Sequence, residues 1–307
     1  MPKATAIDPA AFGVSFSVKQ CRNFDLNPVQ TLDWLIQNAG FRRFRLMSYW
    51  NEHEKQQGTL DFAALDKQFK QIEKAGGQIT LCLGARQPRW PENHWPTWAW
   101  EAPKAERSAA LLHYIETVVK RYKDSPALVS YQLENEALLK SFGVTPEVDR
   151  RRLRAEFALI QSLDPTKPII MSTSNSWGIP IRRPIPDIVG FSFYYTLYNN
   201  GAYHQTNSYP WTHRVRKSLI RLLHRRPTFI HELQCEPWGP TAIWKMPVSE
   251  QDRSMSTEHI KRNIRLARAI KAPPIDLWGG EWWYWRTQTD GTTEIIGTVL
   301  DAIHCNS

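Results

Sequence analysis

At 307 residues, 42% hydrophobic and 22% charged, the chain has the composition of an ordinary globular protein, with length for one large domain or two smaller ones. No apolar run is long enough to span a bilayer. Much of the +9 net charge lies in Arg150 to Arg154 and Arg214 to Arg226, two leucine-bearing stretches that read as solvated helix faces. A sharper reading is attraction to an anionic surface such as a cell envelope. No aromatics alternate with these arginines, so no nucleic-acid partner is expected.

The four cysteines, Cys21, Cys82, Cys235 and Cys305, form no CxxC and no metal-ligand spacing, so neither metal nor cofactor is expected. A Cys21–Cys305 bridge stays open. Met1 to Asp8 lacks the hydrophobic core of a signal peptide. The compartment is left open, as is oligomeric state. Of fourteen tryptophans, only Trp34 falls in an expected helix. The other thirteen fall in loops or at strand ends, a distribution that core packing alone does not produce.

In chain order, Phe12 to Ser17 reads as the first strand. Asn27 caps a helix over 29–38, with Pro28 in its first turn and Gly40 as its stop. Phe44 to Ser48 is the second strand, and a loop over 49–54 leads to a helix over 61–74. Gln78 to Leu83 is the third. Gln87 to Trp100 follows, so rich in proline and tryptophan that a helix or central strand is excluded there. A helix over 104–122 leads to the fourth strand, Leu128 to Glu136. Helix 145–163, strand 168–173 and a proline-rich connection over 175–187 come next. Ile188 to Phe193 is the sixth strand, and a helix over 212–224 precedes the seventh, Pro227 to Glu232. A helix over 257–269, strand 274–278 and a helix over 294–303 complete the chain.

Eight near-continuous apolar strands alternate with helices, as expected when both sheet faces are covered. No linker divides them. The fold class is α/β, a (β/α)8 TIM barrel, with residues 1–307 one catalytic barrel carrying extended βα loops. A doubly wound sheet would want a Gly-rich phosphate loop after the first strand, and Gly13-Val14-Ser15 offers none.

Such barrels gather their strand carboxyl ends on one face. Here those ends bring Arg45, Trp50, Trp90, His94, Asn135, Glu136, Asn175, Trp177, Tyr194, Tyr195, His231, Glu232, Trp278, Glu281 and Trp282. Tryptophan faces stack on sugar rings, and amides and carboxylates bond hydroxyls. Two carboxyls cleave a glycosidic bond, with retention when ~5–5.5 Å apart and inversion at ~6.5–9.5 Å. Strands four and seven are expected to lie across the pore from one another.

The Asn135-Glu136 pair ending strand four and Glu232 ending strand seven resemble the clan A glycoside hydrolases, retaining (β/α)8 enzymes. Tyr131-Gln132-Leu133-Glu134-Asn135-Glu136 is similar to the strand-four motif of family 42 β-galactosidases. Tyr49-Trp50-Asn51-Glu52, Gly58, Asp61-Phe62 and Leu65-Asp66 also resemble that family. The likeness to family 5 cellulases and mannanases is looser. The context His231 to Gly239 ties to no defined specificity.

The resemblance implies Glu136 as general acid/base and Glu232 as nucleophile. It implies Asn135 on the sugar 2-hydroxyl, Arg45 and Tyr194 against Glu232 (with Tyr195 next best), and Trp282 or Trp278 under the cleaved sugar. Trp50, Trp90, His94, Asn175, Trp177 and Glu281 complete the expected substrate contacts. Plainer readings stand beside these. Arg45 and the two glutamates could form a structural ion network, and His94 and His231 could be structural hydrogen-bonders. Glu134 shares the face of Glu136 one layer deeper and reads as support. The expected function is retaining hydrolysis of a β-linked oligo- or polysaccharide. The alternatives are a transglycosylase and a non-catalytic carbohydrate- or envelope-binding barrel.

Overall fold

The computed structural model describes residues 7–139, 142–144, 148–175 and 178–305. In it, β1 (Phe12–Phe16) pairs in parallel both with β2 (Arg43–Met47) and with the last strand, β10 (Ile275–Trp278). Between them run β3 (Gln78–Leu83), β4 (Leu128–Leu133), β5 (Ile169–Thr173), β6 (Ile188–Phe193) and β9 (Thr228–Gln234). These eight strands close a parallel barrel, and helices flank it. β9 and β10 are the expected seventh and eighth strands. Buried Val, Ile, Leu and Phe fill every strand, because parallel strands are covered on both faces.

β4 and β9 are separated by β5 and β6 on the shorter way round. Their ends therefore meet across a sector of the mouth and not across its full diameter, as the sequence suggested. The parallel register of β6 against β9 slips between Phe191 and Ser192, so that Ser192 stands beside Glu232. Such irregularities re-aim side chains at barrel rims.

Several elements differ from the sequence reading. Residues 97–101 form a short helix inside the proline-rich loop. Pro96 is its N-cap, where a missing N–H costs nothing. A hairpin, β7 (Thr196–Asn199) with β8 (Ala202–Gln205), follows β6. Gly280–Thr289 is helical, and it places Trp282, Trp283 and Trp285 on a helix and not in a loop. Trp50, Trp98, Trp100 and Trp211 are helical as well. The expected helix over 145–163 runs from Arg150 to Leu163, capped by Asp149, with 145–147 outside the described residues.

The basic stretches are not wholly solvated faces. Arg152 turns inward to Glu156, 2.7 Å away. Arg216 is buried against the Phe191 ring, donating to Thr173 Oγ1 at 2.9 Å and to the Gly178 carbonyl at 3.0 Å. Cys21 is buried and Cys305 exposed, and both are free thiols. Among the described residues no helix is long and apolar enough to cross a membrane.

Candidate active site

β4 loses its regular course at Leu133. Glu134 and Glu136 adopt left-handed backbone angles, φ 48° and 43°, on either side of Asn135. That conformation is uncommon for non-glycine residues and costs about 1–3 kcal/mol each. The strand alternation that would stack Glu134 beneath Glu136 therefore stops. Glu134 turns back instead, and its carboxyl accepts from the backbone N–H of Ala85 at 3.3 Å and of Arg86 at 2.7 Å. Gly84 makes that approach possible: its φ is +100°, and a Cβ there would fall 2.8 Å from Glu134 Oε1.

Asn135 is held on every side. Its Oδ1 accepts from Arg45 Nη2 at 3.2 Å, Gln132 Nε2 at 3.1 Å and Ser172 Oγ at 3.0 Å. Its Nδ2 donates to Glu92 Oε1 at 3.0 Å. Ser172 also accepts from the Glu136 backbone N–H at 2.8 Å, which fixes the turn.

Arg45 joins the two strand ends. The same Nη2 that reaches Asn135 donates to Glu232 Oε1 at 2.7 Å, and Nη1 donates to the His231 carbonyl at 3.0 Å. Tyr194 Oη donates to the other Glu232 oxygen at 3.1 Å. Glu136 Oε1 accepts from Ser192 Oγ at 2.8 Å, a bond supplied by the register slip of β6. Burial first, and then the charge of Glu232, push the Glu136 carboxyl up to about 7. Such a carboxyl holds its proton near neutrality, as a general acid must.

Beneath this layer His231 Nδ1 meets Asp276 Oδ2 at 2.7 Å, and Arg43 donates to Asp276 Oδ1 at 2.8 Å. Burial opposes the charge on Asp276, but Arg43 and His231 overrule it and bring it down to about 2. Burial lowers His231 to about 4, so it is a neutral structural partner here. Gly13 leaves room for the pair, since a Cβ there would lie 2.4 Å from Asp276 Oδ1.

Comparisons with known proteins bear on the fold. A family model described as Beta-galactosidase, glycoside hydrolase family 42, matches residues 30–151. The β-galactosidase Bga of Halorubrum lacusprofundi is 29% identical over 117 residues, covering 32% of this chain and 17% of that protein. Among solved structures, a GH5_18 protein from Streptomyces cattleya in complex with GlcNAc superposes with a TM-score of 0.60 at 15% identity. That match covers 89% of this chain and 71% of the other. The chain shares its barrel fold with these proteins. The Halorubrum β-galactosidase superposes with a TM-score of 0.54 at 15% identity, over 87% of this chain and 52% of that one. An exo-β-1,4-mannosidase from Opitutaceae bacterium strain TAV5 gives 0.59 at 17% identity, over 91% and 54%. The chain thus spans about half the length of the last two proteins.

Within this barrel, several of the expected contacts are buried or committed to protein partners. Trp50 is fully buried, donates to Glu54 Oε2 at 2.6 Å and stacks on Tyr114. Trp282 is fully buried and donates to Gln251 Oε1 at 2.7 Å. Neither has surface to offer a sugar. Glu281 is equally buried, and it accepts from Ser17 N at 2.5 Å and from Arg89 Nη2 at 2.7 Å. The same Arg89 guanidinium pairs with Glu236 and lies 4.0 Å over the Trp278 ring, so Trp278 is covered by protein. His94 is buried against Tyr49, and burial lowers it to about 3. Asn175 is committed to Tyr194, donating to its carbonyl at 2.8 Å and accepting from its N–H at 3.1 Å. It therefore positions that tyrosine. Tyr195 points elsewhere, under Arg262 at 4.3 Å. Trp177 lies outside the described residues.

The sequence reading passed over four residues that the fold brings to the mouth. Ser172 and Ser192 hold the strand-four turn and Glu136, and Glu92 bonds Asn135. Trp238 packs edge-on against Tyr194 at 5.8 Å and against Phe142 at 5.6 Å. Phe142 in turn meets Trp90, which is 63% exposed. An aromatic wall thus runs from Tyr194 out to solvent. Its members come from four different loops, so no local spacing announces it.

Proposed function

We propose that this chain is a retaining β-glycoside hydrolase, with Glu136 as acid/base and Glu232 as nucleophile. The observation that carries the reading is the bridge of Arg45 from Asn135 to Glu232, beside a Glu136 carboxyl held up to about 7. One carboxyl keeps its proton, and the other has both oxygens gripped by donors. That division of labour is what double displacement needs.

In the first step Glu136 gives its proton to the glycosidic oxygen as a Glu232 oxygen attacks the anomeric carbon. The leaving sugar departs, and a glycosyl–Glu232 ester remains. In the second step Glu136 takes a proton from water, and the water oxygen attacks the anomeric carbon from the face the leaving sugar vacated, breaking the bond to Glu232 and restoring the β-configuration. Asn135 Nδ2 meets the 2-hydroxyl, where charge develops in the oxocarbenium-like transition state. Trp90, Phe142 and Trp238 offer stacking surface to the departing side of the glycan.

The substrate class is a β-linked oligo- or polysaccharide. Likeness to β-galactosidases in sequence, and to a β-mannosidase in fold, supports the β-configuration. The test is a screen of aryl β-glycosides and β-linked oligosaccharides with Glu136→Gln and Glu232→Gln as controls. Each substitution is expected to lower turnover by orders of magnitude while the protein stays folded. The product is expected to appear first as the β-anomer. Full activity in either variant, or initial release of the α-anomer, would overturn the assignment.

A further inference from the structure

Glu92 stands on the loop after β3 with φ 60°, a left-handed angle for a non-glycine residue, and is 5% exposed. Its Oε1 accepts the Nδ2–H of Asn135 at 3.0 Å. Three donors fix the Asn135 carbonyl, so this amide has no freedom to turn elsewhere. The second Glu92 oxygen is less well served. Arg86 Nε lies 3.4 Å away, because the Arg86 Nη atoms are committed to the carbonyls of Leu139 at 2.7 Å and Phe142 at 2.9 Å.

A buried structural carboxyl normally has its partners in full. Glu134, two residues from the catalytic pair, does: backbone N–H groups meet both of its oxygens. Glu92 has a single side-chain partner on each oxygen, the one on Oε2 at 3.4 Å, and it shares its surroundings with two more carboxyls. Burial, then Glu136 and Glu232, push its acid up to about 8. Folding thus places a buried carboxyl with acceptor capacity to spare against the one amide that the glycosidase reading assigns to the sugar 2-hydroxyl.

We propose that Glu92 is a third active-site carboxyl that exchanges a hydrogen bond with the C2 hydroxyl of the sugar in the cleaved subsite. The sugar hydroxyl then meets the second Nδ2–H of Asn135 and the Glu92 carboxyl while those two stay bonded to each other. The preferred substrates are β-glycosides with a free 2-hydroxyl in that subsite. Glycosides lacking it leave the second Nδ2–H and the spare Glu92 acceptor site each with an unmade bond, which is the form of discrimination available to a polar site. The inference rests on the assignment of Glu136 and Glu232 as the glycosidase pair.

The experiment is a cycle of substrate against variant. An aryl β-glycoside and its 2-deoxy counterpart are each assayed with the wild type, Glu92→Ala and Glu92→Gln. Intrinsic reactivity of the 2-deoxy compound cancels when the ratios of kcat/KM are compared. In the wild type the 2-hydroxy substrate is favoured. Glu92→Ala is expected to shrink that preference by about tenfold, and Glu92→Gln, which keeps the volume and some bonding capacity, by about threefold. An unchanged ratio in the variants, with both substrates slowed alike, would make Glu92 a purely structural residue and overturn the proposal. Should Glu92→Ala fail to fold, the ratio for Glu92→Gln decides alone. A wild type that cleaves no aryl β-glycoside would overturn the glycosidase reading and this inference with it. Cleavage that needs Glu136 and Glu232 but shows no coupling would overturn the inference alone.

Discussion

Arg45 and Glu232 meet at 2.7 Å inside the barrel mouth, both nearly sealed from solvent. Breaking such a pair leaves an uncompensated charge in a poorly hydrated site. Glu232 would lose the donor that orients its attacking carboxylate, and Asn135 would lose one of its three anchors. Arg45→Ala is therefore expected to lower kcat/KM on an aryl β-glycoside by about 100- to 1000-fold. Arg45→Lys keeps the charge but not the fork that reaches Glu232, Asn135 and the His231 carbonyl together, so it should recover little of the loss. Wild-type rates in Arg45→Ala would show that Glu232 needs no cationic partner.

The raised acid of Glu136 sets the alkaline limb of the pH profile. In the proposed mechanism catalysis begins with Glu136 protonated, and burial and Glu232 push that carboxyl up to about 7. Below that value most molecules carry the proton. Above it, kcat/KM should fall toward tenfold per pH unit. Ser192 donates to this carboxyl at 2.8 Å and favours its ionised form. Ser192→Ala should therefore move the limb to higher pH. A limb that stays put in Ser192→Ala, or a rate flat up to pH 9, would remove Glu136 from the acid role.

How much of this was legible in the sequence follows from what each residue's placement depends on. Arg45 and Glu232 sit on buried strands and Glu136 lies three residues past the end of one, and apolar runs with polar ends mark those strands directly. Tyr194 was legible for the same reason, being one residue beyond β6. The tryptophans misled, because an aromatic in a proline-rich or glycine-flanked stretch looks like a loop residue. Gly280–Thr289 is in fact a helix whose Trp282 and Trp283 fill the core. Glu92 and Trp238 were illegible as site residues. Their position depends on how long loops fold over the mouth, and no local periodicity encodes that. Glu134 was legible as support, but not its reversal, which depends on two left-handed residues and on Gly84.

Tyr194 depends on Asn175 for its place, since that amide bonds both its N–H and its carbonyl. Tyr194→Phe removes only the hydroxyl that reaches Glu232 at 3.1 Å. A single hydrogen bond to a charged group is worth about 1.5–3 kcal/mol, so kcat should fall by roughly 10- to 100-fold. Asn175→Ala should give a smaller loss by letting the ring wander. If Asn175→Ala proves the more damaging, the amide has a role of its own beyond holding Tyr194.

Gly84 carries the turn that lets Glu134 reach the loop after β3. Gly84→Ala meets both an unfavourable φ of +100° and a clash with the Glu134 carboxyl. A loss of at least about 1–3 kcal/mol in unfolding free energy is expected, read by urea titration. Stability equal to wild type would mean that the loop relaxes freely around Glu134.

Behind β4, Glu156 is buried beside Arg152 and Glu134, with one oxygen lacking a hydrogen-bond partner. Burial, and then the charge of Glu134, raise its acid to about 8, well above an ordinary glutamate. Between roughly pH 4.3 and 8 the folded protein keeps a proton that the unfolded chain has released. The stabilising contribution of this proton is thus complete below the ordinary value, and it is lost as pH rises through the folded one. Glu156→Gln keeps an acceptor for Arg152 and adds an N–H that needs no proton from solvent. Relative to wild type its Tm should therefore rise by about 2–4 °C at pH 8, for each kcal/mol recovered, and the gain should shrink at pH 5. The comparison is made between variant and wild type at each pH, so the changing net charge of this basic chain cancels. A gain that is larger at pH 5 than at pH 8 would reverse the sign and place the shared proton elsewhere.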